Sequence, residues 1–236
     1  MLSEAIILAG GFGTRLQSVV SDVPKPMAPV NQLPFLDYMF RYLKHYDIKS
    51  VVLSVGYLAD KIKERYQTSY NGLTIRYAVE NTPLGTGGGI RLAMEKCETN
   101  QVLVLNGDSF FDVNIQHLYA LHNANRADCT LALRRVEDAA RYGTIKINQE
   151  GRIYQFREKD GKAEAGIING GVYVLNRQLY LDKTVPNQSF SIEKDFFEAK
   201  INVLKIVGLE LNTYFIDIGI PEDYKKAQDD FKGFTY

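Results

Sequence analysis

The sequence predicts an α/β protein in which a mainly parallel central sheet carries helices on both faces. Apolar strand-like segments alternate with segments of helical periodicity over about the first 135 residues, which is the pattern of βαβ units. From about residue 136 to residue 220, strand-like segments follow one another more directly. We therefore expect one domain spanning residues 1–236, whose second part is a small mixed or antiparallel region built onto the same sheet.

The elements of the first part follow from their apolar patterns. Short apolar runs predict strands at residues 4–10, 50–56, 73–79, 101–108 and 128–136. Apolar residues at helical spacing predict helices at residues 36–46, 59–67 and 115–124. The glycine-rich segment 85–97 is expected to begin irregularly and then to become helical. The proline-rich segment 23–34 is expected to form a long irregular loop, and such loops are often functional.

The second part is predicted in the same way. Strand-like segments lie at residues 142–148, 151–158, 166–176 and 212–219. A helix is expected at residues 191–201. A final helix is expected at residues 221–232, where Pro221 suits the first helical turn.

Composition excludes several classes of function. Lys and Arg together number 28, as do Asp and Glu, so the net charge is zero and a nucleic-acid partner is not expected. No apolar run approaches the ~20 residues of a membrane-spanning helix, so no membrane association is expected. Cys97 and Cys129 lack the spacing of a disulfide framework or a metal site, which predicts reduced thiols in a cytoplasmic protein. The sequence is compatible with an oligomer.

The first predicted strand runs directly into the glycines Gly10, Gly11 and Gly13, followed by Thr14 and Arg15. Successive backbone amides in such a loop form a concavity that binds anions, and the arginine adds a permanent cation. The dinucleotide-binding fingerprint fails because leucine occupies its third glycine position, and the P-loop sequence is absent. The loop is therefore either a tight turn or a phosphate-binding loop of another kind.

Lys25 lies between two prolines in the stretch "PKPM". Proline on each side restricts the backbone there. The lysine is either an ordinary surface residue or a second cation directed at phosphate.

Two aspartates follow predicted strands. Asp108 comes just past one buried strand, and Asp217 comes at the end of another. Ligands of open parallel sheets bind outside the carboxyl ends of the strands, and two carboxylates there suit Mg²⁺. The alternative is that each aspartate caps a turn or a helix. Spacing alone does not show whether two residues so far apart in sequence meet in the fold.

Taken together, these motifs resemble those of the sugar-phosphate nucleotidyltransferases, also called nucleoside-diphosphate-sugar pyrophosphorylases. The resemblance covers essentially the whole chain and rests on "LAGGFGTRL", "PKPM", "PLGTGGGIR", "NGDSFF" and "INGGVY". It implies the Rossmann-like nucleotide-diphospho-sugar transferase fold. It also implies transfer of a nucleotidyl group from a nucleoside triphosphate to a sugar 1-phosphate, with release of pyrophosphate.

The resemblance implies a role for each matching residue. Arg15 and Lys25 would be the catalytic cations that stabilise the reacting phosphates, and Asp108 and Asp217 would hold Mg²⁺. The residues implied in nucleotide binding are Leu8, Ala9, Gly10, Gly11, Gly13, Thr14, Glu80, Pro83, Gly85, Thr86, Asn106 and Gly107. The residues implied in binding the sugar and its phosphate are Gly143, Glu158, Lys159, Asn169 and Gly170.

The residue at position 80 bears on the choice of base. A carboxylate at Glu80 can accept hydrogen bonds from guanine N1–H and N2–H together, whereas a glutamine suits the edge of uracil or thymine. This favours GTP as the nucleotide. UTP stays open because a carboxylate can also accept from the uracil N3–H.

The acceptor sugar is predicted from the resemblance alone. The motifs are most similar to those of family members that act on D-glycero-α-D-manno-heptose 1-phosphate in the synthesis of cell-surface glycans, such as lipopolysaccharide or S-layer glycan. Mannose 1-phosphate and N-acetylmuramic acid 1-phosphate are the alternatives. Two alternatives come from other classes: a non-catalytic relative that senses nucleotide or acts as a scaffold, and a nicotinamide dehydrogenase. The failed dinucleotide fingerprint weakens the last of these.

Overall fold

The computed structural model describes residues 1–11, 13, 16, 19–20, 22–157, 161 and 163–236. A ten-stranded sheet with helices on both faces confirms the predicted fold class. The strands are β1 (Glu4–Ala9), β2 (Pro29–Val30), β3 (Leu33–Pro34), β4 (Ser50–Val55), β5 (Ser69–Tyr70), β6 (Leu73–Val79), β7 (Gln101–Asn106), β8 (Ser109–Phe111), β9 (Cys129–Val136), β10 (Thr144–Ile147), β11 (Ile153–Arg157), β12 (Gly166–Asn176), β13 (Ile206–Leu211) and β14 (Phe215–Asp217). The α-helices are α1 (Phe35–His45), α2 (Ala59–Tyr66), α3 (Gly85–Met94), α4 (Ile115–Asn125), α5 (Arg177–Asp182) and α6 (Pro221–Asp230).

The centre of the sheet is parallel, in the order β7-β1-β4-β6. The chain builds β4 and β6 on one side of β1 and then returns to place β7 on the other side. The strand order therefore reverses at β1, and the crevice beyond the carboxyl ends of β1 and β7 is where such sheets bind ligands.

The parallel strands are apolar along their whole length because both of their faces are buried. In β1, Ala5, Ile6 and Ile7 have no exposed surface. Ile7 packs with α1, α2 and α6 in one core cluster. Ile6 belongs to the other cluster, together with α3, α5 and the segment Ile192–Glu198. Successive side chains of one strand thus join the two helical layers to a single sheet.

The second part of the chain extends this sheet by antiparallel pairing. Strand β12 runs antiparallel to β7, with Val172 opposite Leu105, and it also pairs antiparallel with β9 and β10. The segment 128–136 was expected among parallel βαβ strands, but β9 is antiparallel to β12 and parallel only to β13. The expected antiparallel region is therefore present, and it is continuous with the parallel centre.

Several elements differ from the prediction. The segment expected as a helix at 191–201 forms a π-helix over Ile192–Glu198. Strand β13 and helix α5 were not predicted. The proline-rich loop contains a 3₁₀ helix over Lys25–Met27 and the short β2–β3 hairpin.

No helix in the described part of the chain combines the length and the apolar composition that a membrane span needs.

Candidate active site

A cavity of about 430 Å³ opens at the point where the strand order reverses. Every predicted nucleotide-binding residue within the described part of the chain lines this cavity, together with Lys25, Pro26 and Asp108. The lining residues are Leu8, Ala9, Gly10, Gly11, Gly13, Lys25, Pro26, Glu80, Pro83, Gly85, Thr86, Asn106, Gly107 and Asp108. The structure thus brings together residues from the ends of β1, β6 and β7 and from the start of α3.

Close packing explains two of the glycines around the cavity. The Gly107 N–H donates to the carbonyl of Leu8 at 2.9 Å, and a Cβ at position 107 would overlap that carbonyl oxygen. A Cβ on Gly10 would lie 2.7 Å from Oε1 of Glu80. A larger residue at position 107 would force the ends of β1 and β7 apart, and one at position 10 would displace the Glu80 carboxylate.

Glu80 is held in a fixed orientation at the end of β6. The hydroxyl of Ser54 donates to its Oε1 at 3.1 Å, and the backbone N–H of Leu84 donates to its Oε2 at 2.9 Å. Each carboxylate oxygen has a second lone pair, so both can accept a further hydrogen bond from a ligand in the cavity. The carboxylate is therefore a preoriented double acceptor.

Helix α3 begins at Gly85, at the rim of the cavity, so the expectation of an irregular start to this segment is wrong. Gly85 has a φ of +67°, which favours glycine. A Cβ on Gly87 would overlap the ring of Phe190, and one on Gly88 would overlap the carbonyl of Gln188. The glycines let the helix pack directly against the loop before the π-helix, and its N-terminal end faces the cavity.

Lys25 lies between the two predicted metal-binding aspartates. Its Nζ is 2.6 Å from Oδ2 of Asp108 and 3.9 Å from Oδ1 of Asp217. The two aspartates meet because β8 and β14 pair antiparallel, with Ser109 opposite Asp217, and because the Ile218 N–H donates to the carbonyl of Asp108 at 2.9 Å. A two-stranded ribbon outside the main sheet therefore carries the acidic half of the site.

The two carboxylates of this site suit a hard cation whose other ligands are water and substrate oxygens. Among the residues that the structure describes, no three or more His, Cys, Asp or Glu side chains cluster as a metal cage. Mg²⁺ is commonly held by one or two carboxylates, with waters and substrate phosphates as its other ligands. Asp108 and Asp217 fit that pattern, and nucleotidyl transferases in general use a divalent metal.

The sugar-side residues divide into two groups. The Asn169 amide donates to the hydroxyl of Tyr173 at 2.7 Å and to Oε1 of Glu193 at 2.6 Å. A Cβ on Gly170 would overlap the ring of Phe111, so this glycine fills a tight position beside β8. Gly143 lies beside the end of β11, where a Cβ would be 2.9 Å from the carbonyl oxygen of Arg157.

Four predicted site residues, Thr14, Arg15, Glu158 and Lys159, lie outside the described residues. Two polar residues beside the site, Tyr173 and Glu193, were not predicted from sequence. Glu193 stands in the first turn of the π-helix, within a charged segment that reads as an ordinary helix surface. Tyr173 lies in an apolar strand, where the sequence predicts an ordinary core residue.

Comparison with known proteins identifies related sequences over nearly the whole chain. A family model described as "Nucleotidyl transferase" matches residues 4–232. The chain is 43% identical over 231 residues to the D-glycero-α-D-manno-heptose 1-phosphate guanylyltransferase of Aneurinibacillus thermoaerophilus, covering 98% of this chain and 99% of the relative. It is 42% identical over 221 residues to the protein of the same name from Campylobacter jejuni, covering 94% of this chain and 96% of the relative.

A solved structure is also similar. The crystal structure of HddC from Yersinia pseudotuberculosis, complexed with GMP-PN, superposes with a TM-score of 0.82 at 35% sequence identity. The match covers 98% of this chain and 100% of the HddC chain. The family model and the curated relatives each span nearly the whole chain, so it belongs to the nucleotidyl transferase family.

Proposed function

We propose that this chain transfers a guanylyl group from GTP to D-glycero-α-D-manno-heptose 1-phosphate, forming a GDP-sugar and pyrophosphate. The observation that carries the proposal is the arrangement of Lys25 against Asp108 and Asp217 at the edge of a glycine-lined cavity. This arrangement suits a reaction between phosphates. The substrates are inferred from relatives that carry the guanylyltransferase name at 42% and 43% identity.

The proposed reaction needs no general base. An oxygen of the sugar 1-phosphate, already ionised at neutral pH, attacks the α-phosphorus of GTP. The bond from that phosphorus to the oxygen bridging to the β-phosphate breaks, and pyrophosphate leaves with that oxygen. Catalysis then consists of aligning the two substrates and stabilising negative charge.

Each cation of the site is assigned to a different phosphate group. We assign Lys25 to the α-phosphate, because its ammonium lies at the cavity wall beside Asp108. We assign Arg15 and the amides of Gly11 and Gly13 to the β- and γ-phosphates, since they follow directly on β1. Lys159 is assigned to the phosphate of the sugar.

Asp108 and Asp217 are the residues that would hold Mg²⁺. When bound, Mg²⁺ would neutralise negative charge on the substrate phosphates. The two aspartates would determine where the metal binds, and the pairing of β8 with β14 brings them together.

Glu80 supports guanine as the base. Its two anchored oxygens are available to accept from the two adjacent donors on the guanine edge. The structure of HddC with GMP-PN, a guanine nucleotide, supports the same choice. Gly143, Glu158, Asn169 and Gly170 are assigned to the sugar.

We further propose that residues 1–135 mainly bind the nucleotide and residues 136–220 the sugar, within one domain. Both cysteines are buried and unpaired, which supports a reducing compartment and hence the cytoplasm. The product is expected to serve cell-surface glycan synthesis, in lipopolysaccharide or S-layer glycan.

The test is a panel of the common nucleoside triphosphates against heptose, mannose, glucose and N-acetylmuramic acid 1-phosphates, with pyrophosphate release measured with and without Mg²⁺. We expect the fastest release with GTP and the heptose 1-phosphate, and only when Mg²⁺ is present. Release with UTP alone would overturn the assignment of Glu80. A higher rate with mannose 1-phosphate than with the heptose 1-phosphate would identify mannose 1-phosphate as the acceptor. No pyrophosphate release in any well would indicate that the chain is a non-catalytic relative.

A further inference from the structure

An exposed carboxylate contacts one of the residues assigned to the sugar. Glu193 lies in the first turn of the π-helix, and its Oε1 accepts a hydrogen bond of 2.6 Å from the side-chain amide of Asn169. Glu193 is exposed, whereas Asn169 is half-buried on β12. The contact therefore holds a surface carboxylate against a residue of the central sheet.

Asn169 has little hydrogen-bonding capacity left for a ligand. Its amide nitrogen also donates to the hydroxyl of Tyr173 at 2.7 Å, and its oxygen accepts from the N–H of Gly171 at 3.0 Å. This assignment of the amide nitrogen and oxygen is consistent, because an ionised carboxylate only accepts and a backbone N–H only donates. Both amide hydrogens are thus used within the protein. Asn169 is therefore better suited to hold Glu193 than to bind several sugar hydroxyls itself.

The carboxylate of Glu193 keeps one oxygen for a ligand. Within the described part of the chain, its Oε2 has no hydrogen-bond partner. An ionised carboxylate oxygen has two lone pairs and can accept two hydrogen bonds. Its negative charge repels phosphate, so it suits hydroxyl groups rather than the phosphate of a sugar 1-phosphate.

Contacts on two sides hold Glu193 beside the nucleotide cavity. On one side, the backbone N–H of the preceding residue, Ile192, donates to the hydroxyl of Thr86 at 3.0 Å, and Thr86 lines the cavity. On the other side, Gly171 approaches Asn106, which also lines the cavity: a Cβ on this glycine would lie 2.6 Å from the Asn106 amide nitrogen. The carboxylate is therefore held next to the nucleotide, on the part of the chain proposed to bind the sugar.

We propose that Glu193 is a further sugar-binding residue, whose second carboxylate oxygen accepts from a hydroxyl group of the sugar 1-phosphate while Asn169 holds it in that orientation. This inference rests on the proposed nucleotidyl transfer. Hydrogen bonds to an ionised group are roughly twice as strong as those between neutral groups. A site that binds a substrate hydroxyl in this way also discriminates against analogues that lack it. Glu193 therefore contributes to the choice of the acceptor sugar.

The first test is Glu193→Ala, assayed with the sugar 1-phosphate that the wild-type protein uses fastest. We expect kcat/KM for this sugar to fall at least about tenfold, mainly through a higher KM. The Kd of GTP from calorimetry should change less than about twofold. Glu198→Ala is the matched control, because Glu198 ends the same π-helix and is absent from the cavity lining. It should keep the wild-type kcat/KM within about twofold.

Glu193→Gln preserves the shape of the side chain and provides a second variant. Its carbonyl oxygen can still accept from Asn169, but its amide then presents a donor in place of the second acceptor. We expect kcat/KM for the sugar to fall at least about threefold. Thermal unfolding checks that both variants are folded.

The second test determines whether the contact with the sugar is direct. Monodeoxy analogues of the same sugar 1-phosphate are compared in wild type and in Glu193→Ala. The analogue that lacks the hydroxyl bound by Glu193 should be at least about fivefold poorer than the parent sugar in wild type, but nearly equal to it in the variant. Each of the other analogues should lose the same factor in both proteins.

The third test addresses the orienting role of Asn169. Asn169→Ala is measured alone and together with Glu193→Ala. If Asn169 acts by holding the carboxylate, its substitution should cost clearly less kcat/KM in the Glu193→Ala background than in wild type. Equal losses in the two backgrounds would overturn this orienting role.

Wild-type kcat/KM for the sugar in Glu193→Ala would overturn the assignment of Glu193. Equal losses in Glu193→Ala and Glu198→Ala would do the same, as would an analogue panel in which every missing hydroxyl costs the same factor in both proteins. Failure of the wild-type protein to release pyrophosphate in any substrate combination would instead overturn the proposed function. The wild-type measurement therefore distinguishes the two failures.

Discussion

Lys25 donates a hydrogen bond of 2.6 Å to Asp108, a residue 83 positions further along the chain. The lysine side chain is only 9% exposed, whereas that of Asp108 is 37% exposed. The ammonium is therefore fixed at the cavity wall, while the carboxylate it holds is still open to the cavity. A cation and an anion in fixed relation at one wall suit a site where phosphates react.

Asp108→Asn is expected to lower kcat at least about 100-fold, because a preorganised electrostatic contact is worth ~3 kcal/mol in the transition state. The substitution keeps the shape of the side chain and removes its charge. Pyrophosphate release gives kcat, and thermal unfolding checks the fold. Asp112→Asn is the matched control, since Asp112 lies at the opposite end of β8 from Asp108, accepts a hydrogen bond from Tyr236 and is absent from the cavity lining. Turnover of Asp108→Asn within about tenfold of wild type would contradict the assignment.

Lys25→Met is expected to increase the affinity for a divalent metal in the absence of nucleotide. The ammonium lies within 3.9 Å of both carboxylates and repels an incoming dication, so its removal favours the metal. Mn²⁺ binding, measured by electron paramagnetic resonance, should tighten at least about threefold. Lys49→Met serves as the control because Lys49 is exposed and pairs with Asp47. Unchanged or weaker Mn²⁺ binding by Lys25→Met would argue against metal at these aspartates.

The parallel centre of the fold could be predicted because its strands are buried on both faces and therefore read as continuous apolar runs. The carboxyl-end rule then indicated that Asp108 lies at the ligand-binding edge of the sheet, and Asp108 does line the cavity at that edge. These inferences need only the chain order of strands and one general property of parallel sheets.

The other features of the fold and the site depend on pairings between distant segments, and such pairings leave no pattern in the local sequence. Asp217 reaches Lys25 through β8 and β14, each only three residues long, so its position was predicted from resemblance and not from spacing. The contact between Tyr173 and Asn169 depends on a register shift inside an apolar strand. Strand β13 was not predicted. It pairs in parallel with β9, which is far away in sequence, so no neighbouring segment of the chain indicates this pairing.

Glu80→Gln is expected to reduce the preference for GTP over UTP. A glutamine can keep both anchors, with its carbonyl oxygen accepting from the Leu84 N–H and its amide donating to the Ser54 hydroxyl, but it presents one acceptor and one donor in place of the double acceptor. The ratio of kcat/KM for GTP to that for UTP should fall at least about tenfold. Ser54→Ala, which removes one anchor but keeps the carboxylate, should change this ratio much less. A ratio unaffected by Glu80→Gln would show that other groups read the base.

Gly107→Ala and Gly11→Ala should separate packing from ligand binding. A Cβ on Gly107 would overlap the carbonyl of Leu8, whereas one on Gly11 would meet nothing within 4 Å. Gly107→Ala is therefore expected to lower the free energy of unfolding by about 1–3 kcal/mol, the usual cost of overpacking. Gly11→Ala should keep wild-type stability and weaken GTP binding, because Gly11 lines the cavity and its amide is assigned to the phosphates. Denaturant unfolding and calorimetry measure the two effects, and equal stability of both variants would contradict this packing argument.

His122 should make the fold sensitive to acid. Its side chain is 1% exposed beside Thr130, and burial lowers its pKa, although the Asp128 carboxylate acts in the opposite direction. Above the unfolded pKa of about 6.5 the imidazole is neutral in both states and contributes no pH dependence. As the pH falls below that value, the unfolded chain binds a proton that the folded chain does not bind, so the free energy of unfolding falls by at most about 1.4 kcal/mol per pH unit until the folded pKa is reached.

Urea unfolding at about pH 7.5 and about pH 5 should therefore show a smaller loss of stability in His122→Gln than in wild type. His117→Gln, which removes an exposed histidine from the same helix, should keep the wild-type loss. The same pH dependence in His122→Gln and wild type would mean that the buried imidazole is protonated in the folded protein as readily as in the unfolded chain.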